Sequence, residues 1–117
     1  MPAEVRVRVF ARDRELRSWL VDELALISPT IEVHTSETID AIASGIAELW
    51  IVGVDALTTP DEACLHELVA KRAAAVIAIG SLSPRLAHAP FACVLDAKLT
   101  SRQLKRAVRD ALTTPAP

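Results

Sequence analysis

The sequence predicts a doubly wound α/β domain, a parallel sheet of five strands in the order 2-1-3-4-5 with helices on both faces. Three observations predict it. Five short apolar runs recur along the 117 residues, at Val5–Ala11, Ile31–His34, Leu49–Val54, Ala74–Ile79 and Phe91–Leu95. Segments of helical period separate them, and capping residues fall where the period changes. Strand–helix alternation with short loops calls for right-handed crossovers, which place helices on the two faces of a parallel sheet. For five strands wound this way, 2-1-3-4-5 is the common solution.

The first run alternates, with Arg6 and Arg8 between valines. That pattern suits a central strand only if the arginines carry their charged tips outward. Leu16, Trp19, Leu20, Leu24 and Ile27 then share a helical face, with Asp13 as the cap. After the run at Ile31–His34, Ser36 caps a second helix whose stripe is Ile39, Ile42, Ala43 and Ile46. The runs around Ile51, Ile77 and Val94 are continuous, as expected of strands covered on both faces. Thr59-Pro60-Asp61-Glu62 reads as a capping box with proline at the first helical position, opening a helix that buries Leu65, Leu68 and Val69. Ser83-Pro84 opens a short fourth helix that Pro90 stops after about a turn and a half. Thr100-Ser101-Arg102-Gln103 is a second box, before a helix with Leu104, Ala107, Val108, Ala111 and Leu112 on one face.

Residues 1–112 make one domain, and the Thr-Pro-Ala composition of 113–117 reads as a tail or the start of a linker. Hydrophobic residues at 51% and charged residues at 24% are the mix of a folded globular protein. A net charge of −2 gives no pull toward nucleic acid or anionic membrane. The run Ala73–Ile79 is far short of the roughly 20 residues that span a bilayer. No signal-length apolar stretch follows Met1, so a reducing cytoplasm is expected, with Cys64 and Cys93 free and buried.

In this topology ligands bind beyond the carboxyl ends of the strands, where strands 1 and 3 diverge. The residues expected there are Ala11-Arg12-Asp13, Asp55, Gly80-Ser81 and Lys98. Asp55 closing Ile51-Val52-Gly53-Val54-Asp55, and Lys98 in Asp96-Ala97-Lys98-Leu99, resemble the response-regulator receiver domain over nearly the whole chain. The resemblance implies a flavodoxin-like fold. It further implies a phosphoryl-accepting aspartate at Asp55, a lysine contact at Lys98, a hydroxyl after strand 4, and magnesium held by an acidic pair after strand 1. The departures are specific. Alanine and arginine stand where the acidic pair belongs, with only Asp13 behind them. Gly80 takes the hydroxyl position, one residue before Ser81, and Leu99 replaces the proline usual after the lysine. The proline usual after the acceptor falls one residue late, at Pro60. Magnesium needs carboxylate and phosphate oxygens, and a guanidinium at Arg12 opposes it. Without the ion nothing neutralises charge developing on a transferring phosphoryl. The expectation is a decayed pocket with no catalytic residues, metal or cofactor; Arg12 is read first as an exposed loop residue, and the sharper alternative has its guanidinium pair with Asp55.

Other chemistries lack their residues. Gly45, Gly53 and Gly80 form no phosphate-cradling loop, and His34, His66 and His88 have no metal-ligand spacing. Ser81 and Ser83 lack the glycines of a nucleophile elbow, and no cysteine follows strand 1. The last helix carries Arg102, Lys105, Arg106 and Arg109 against Asp110, a candidate docking patch for an acidic partner. The apolar stretch Leu82, Leu86, Ala87, Ala89 and Phe91 borders that surface, and tyrosine is absent from the chain. The function predicted is a pseudo-receiver. It is a non-enzymatic, phosphorylation-independent module that binds another protein, a neighbouring domain of the same chain or a second copy, and no nucleic acid directly. Two alternatives compete with it: a working phosphoacceptor using Asp55, with magnesium on Asp13 and a backbone carbonyl, and a small-ligand-binding flavodoxin-like domain.

Overall fold

The computed structural model describes residues 5–27, 31–36, 48–55, 57–70, 75–89 and 91–113. The strands are β1 (Val5–Phe10), β2 (Ile31–Ser36), β3 (Leu49–Gly53), β4 (Ala75–Ile79) and β5 (Cys93–Leu95), and the helices are α1 (Arg14–Ile27), α2 (Thr59–Ala70) and α3 (Ser101–Thr113). All strand pairs are parallel and the order is β2-β1-β3-β4-β5, as the sequence predicts. The predicted helix around Ile39–Ile46, with its Ser36 cap, lies outside the described residues.

Register builds the two cores directly. Val9 pairs with Ile51, Ile51 with Ile77 and Ile77 with Cys93, so one row of side chains crosses the sheet beneath α1 and α3. Leu20 and Leu24 of α1 and Leu104, Ala107 and Val108 of α3 close over it. One residue along each strand the row reverses face: Phe10, Val52, Ala78 and Val94. Leu65, Leu68 and Val69 of α2 cover that side, joined by Leu86 and Trp50. Strand β1 is central despite its arginines. They stand on the α2 side of the sheet toward the β2 edge, where Arg6 faces Glu32 in register with Nε 3.9 Å from Oε2. A cross-strand pair of opposite charge thus replaces apolar packing at that corner.

Four expectations need correction. The Ser83–Ala89 stretch forms consecutive turns rather than a helix, with Leu86 N donating to Ser83 O and Ala89 N to Leu86 O. Both bonds span three residues, and the prolines at 84 and 90 leave too little chain between them for helix propagation. The same stretch is not an exposed apolar patch, because Leu86 is buried and Leu82, Ala89 and Phe91 pack on the second core. Strand β5 is an edge strand, shorter than its apolar run, and its Val94 is 47% exposed. Cys64 and Cys93 are free but only half-buried.

The capping box of α2 sits one residue earlier than the sequence reading placed it. Asp61 N donates to Thr58 Oγ1 at 3.3 Å and Thr58 N to Asp61 Oδ2 at 3.2 Å, while Glu62 N donates to the Thr58 carbonyl. Thr58 is therefore the cap and Pro60 the second helical residue. The box before α3 is as predicted, with Thr100 N donating to Gln103 Oε1 and Gln103 N to Thr100 Oγ1. The shifted register has a measurable consequence. Thr58→Ala is expected to lower the unfolding free energy by about 1 kcal/mol in urea titrations, and Thr59→Ala by a few tenths at most.

Candidate functional site

The carboxyl ends of β1, β3, β4 and β5 meet around a small cleft of about 90 Å³. Arg12, Asp13 and Asp55 supply its polar lining, and Ala11, Leu16, Ile79 and Ala97 its apolar one. Close approach of two elements forms its floor. A Cβ on Gly53 would lie 3.2 Å from Ala11 Cβ and 3.3 Å from Leu16 Cδ2, so the end of β3 and the start of α1 meet with little room between them.

Each polar residue of the cleft is already engaged. Asp13 Oδ1 accepts from the amides of Glu15 at 2.9 Å and Leu16 at 3.3 Å, which makes it the cap of α1, as predicted. Asp55 is exposed, and its Oδ1 accepts from the Ser81 amide at 3.2 Å. Gly80, with φ of 118°, makes this approach feasible: a Cβ there would sit 2.6 Å from Asp55 Oδ2. Ser81 therefore reaches Asp55 through its backbone. Lys98 is exposed on the turn after β5, where its amide donates to Asp96 Oδ1, and Ala97 is the cleft residue from that turn.

Arg12 is an exposed loop residue, and the alternative pairing with Asp55 is not what forms. Arg12 Nη2 lies 2.6 Å from Asp61 Oδ2, across 49 residues of sequence, and its guanidinium carbon stands 5.8 Å from the Phe10 ring centroid. Asp61 wins because the Thr58 box already holds its carboxylate in place, and Phe10 orients the cation. The sequence carried one signal for this: Thr58 and Asp61 also stand at capping-box spacing. Burial alone would raise the Asp61 pKa, yet the Arg12 hydrogen bond, the Thr58 amide and hydroxyl, and the Arg12 charge together hold it below 3.8.

The donor set does not fit magnesium. Ala11 and Arg12 supply no carboxylate after β1, and one oxygen each of Asp13 and Asp55 is committed to backbone amides. Among the described residues, no three His, Cys, Asp or Glu side chains converge as a metal site. A larger open groove of about 400 Å³ crosses α2 and the 84–88 turns, lined by Glu62, Ala63, His66 and Arg85. It shares no lining residue with the cleft at the strand ends, and Ser83 Oγ donates to Glu62 on that side at 2.7 Å. The basic residues Arg102, Lys105, Arg106 and Arg109 are all exposed on α3, opposite its buried Leu104 and Val108. No helix among the described residues is long and apolar enough to cross a membrane.

No protein-family model and no curated protein matches the sequence. Solved structures do match. A CheY-like response regulator from Mesorhizobium loti superposes with a TM-score of 0.72 at 21% identity, over 91% of this chain and 97% of that one. The signal receiver domain of a DNA-binding response regulator from Colwellia psychrerythraea 34H gives 0.76 at 13% identity, over 94% and 99%. The pilus assembly protein CpaE from Caulobacter crescentus CB15 gives 0.66 at 14% identity, over 90% and 97%. The chain thus has the fold of receiver domains, and at these identities the likeness reaches no further than the fold.

The linkage sign for Asp61 follows from its lowered pKa. Its contribution to stability is fully present above the unfolded value of 3.8 and is lost as pH falls through the lower folded value. The stability difference between the wild type and Asp61→Asn is therefore expected to be constant at neutral pH and to shrink below pH 3.8, as read from urea midpoints across an acid series. A difference that grows toward acid would contradict the ion pair.

Proposed function

We propose that the protein is a pseudo-receiver, a phosphorylation-independent interaction module of signal transduction that acts in the cytoplasm without enzymatic activity. The observation that carries this reading is the replacement of the acidic pair by Ala11 and Arg12, with the one nearby carboxylate, Asp13, serving as the cap of α1. Ala11 and Arg12 offer a divalent cation no carboxylate after β1, so in this reading an incoming phosphoryl group has no counter-ion. In this reading residues 1–112 are the module, and 113–117 are its tail or the start of a linker to whatever it serves.

The partner surface in this reading is the outward face of α3. Arg102 and Arg106, and Lys105 and Arg109, are like-charge pairs four residues apart, an arrangement that costs an isolated helix a few tenths of a kcal/mol per pair. An acidic protein segment reverses that sign. Nucleic acid is disfavoured by the net charge of −2 of the chain. Lys98, Ser81 and Asp55 are the residues whose amides report on any remaining phosphoryl chemistry.

Titration with magnesium and beryllium fluoride, followed by amide shifts, tests the first part. No concerted movement of Asp55, Ser81 and Lys98 is expected, and concerted shifts at sub-millimolar metal would return the domain to the working phosphoacceptors. For the surface, a glutamate-rich helical peptide is expected to associate with the wild type at low ionic strength. It should do so about tenfold more slowly with the Arg102→Glu, Arg106→Glu variant. Equal association rates would remove α3 as the docking face.

A further inference from the structure

Three carboxylates fasten the loops at the carboxyl edge of the sheet. Asp13 pins the start of α1, Asp55 joins the loop after β3 to the Ser81 amide after β4, and Asp61 joins the start of α2 to Arg12 after β1. The last of these has an unusual economy. The same oxygen, Asp61 Oδ2, accepts from both Arg12 Nη2 at 2.6 Å and the Thr58 amide at 3.2 Å, so one atom serves the helix cap and the cross-loop contact. Arg12 is restricted from its other side by the ring of Phe10, which is 1% exposed and immobilised in the second core. Arg12 and Asp55 both line the cleft, and Asp61 lies six residues after Asp55, so the Arg12–Asp61 contact stands beside that cleft.

We propose that the Arg12–Asp61 pair is a latch that holds the loop after β1 against the opening turn of α2 and keeps the mouth of the Asp55 cleft in one conformation. The cation here is tethered to the chain. It cannot dissociate as a bound ion can, so the contact needs no metal from the medium and is weakened only by screening. The latch goes beyond the pseudo-receiver reading and does not depend on it. Aspartyl phosphate detected on Asp55 would end that reading and leave the latch standing.

Amide hydrogen exchange on the whole chain, followed by NMR, tests it. In Arg12→Met the amides of Asp61 and Glu62 are expected to exchange about two- to fivefold faster, the factor an exposed ion pair supplies, with Ile51 and Ile77 unchanged. About 1 M salt should move wild-type exchange at the same amides in the same direction, and Arg12→Lys should recover part of the protection. Asp61→Asn keeps a side-chain acceptor for Thr58 and removes the charge. Combined with Arg12→Met it should be clearly non-additive in stability. Unchanged exchange at residues 58–62 in Arg12→Met would overturn the latch. So would acceleration spread evenly into β3 and β4, or additivity of the two substitutions.

Discussion

The adjacency of β1 and β3 is the constraint on which the carboxyl edge depends. Val9 against Ile51 and Phe10 against Val52 fix the two strands side by side, with both faces of each pair buried. Burying one such aliphatic side chain contributes about 1.5–3 kcal/mol, whereas an exposed ion pair contributes about 0–1. Packing therefore decides where Arg12, Asp13 and Asp55 arrive, and electrostatics decides only which partners they take once there. The cleft exists because two strands that are neighbours in space send their chains away in different directions.

Within that frame the acidic residues perform mechanical work. Asp13, Asp55 and Asp61 each accept from a backbone amide, and Asp61 also takes the one guanidinium at the mouth. These contacts fix the orientation of each carboxylate on its loop. In this arrangement the carboxylates act as loop fasteners, and Arg12, Gly80 and Thr58 are the residues that complete the three contacts.

Much of this architecture was legible in the sequence because it rests on periodicity. The continuous runs around Ile51 and Ile77 and the stripes of α1, α2 and α3 translate directly into the two packed faces. The cap of α1 and the box before α3 were readable for the same reason, since capping is a local interaction. What escaped was non-local or degenerate. Two consecutive threonines, Thr58 and Thr59, offer two capping registers, and only the positions of neighbouring loops select between them. The partner of Arg12 lies 49 residues away on another loop, where spacing has nothing to say. The failed helix at 83–89 had a start signal and a stop signal but too few residues between them to propagate.

Gly80 carries a consequence for how this protein can change. Its φ of 118° is a conformation that a side-chain-bearing residue enters at a cost of roughly 1–3 kcal/mol, and the space beside it belongs to the Asp55 carboxylate. Installing a hydroxyl at that position by one codon change would strain the backbone and displace the aspartate at once, before any gain in chemistry. Any replacement at residue 80 must therefore move the Asp55 carboxylate and the backbone after β4 together, so the two loops can change only in concert.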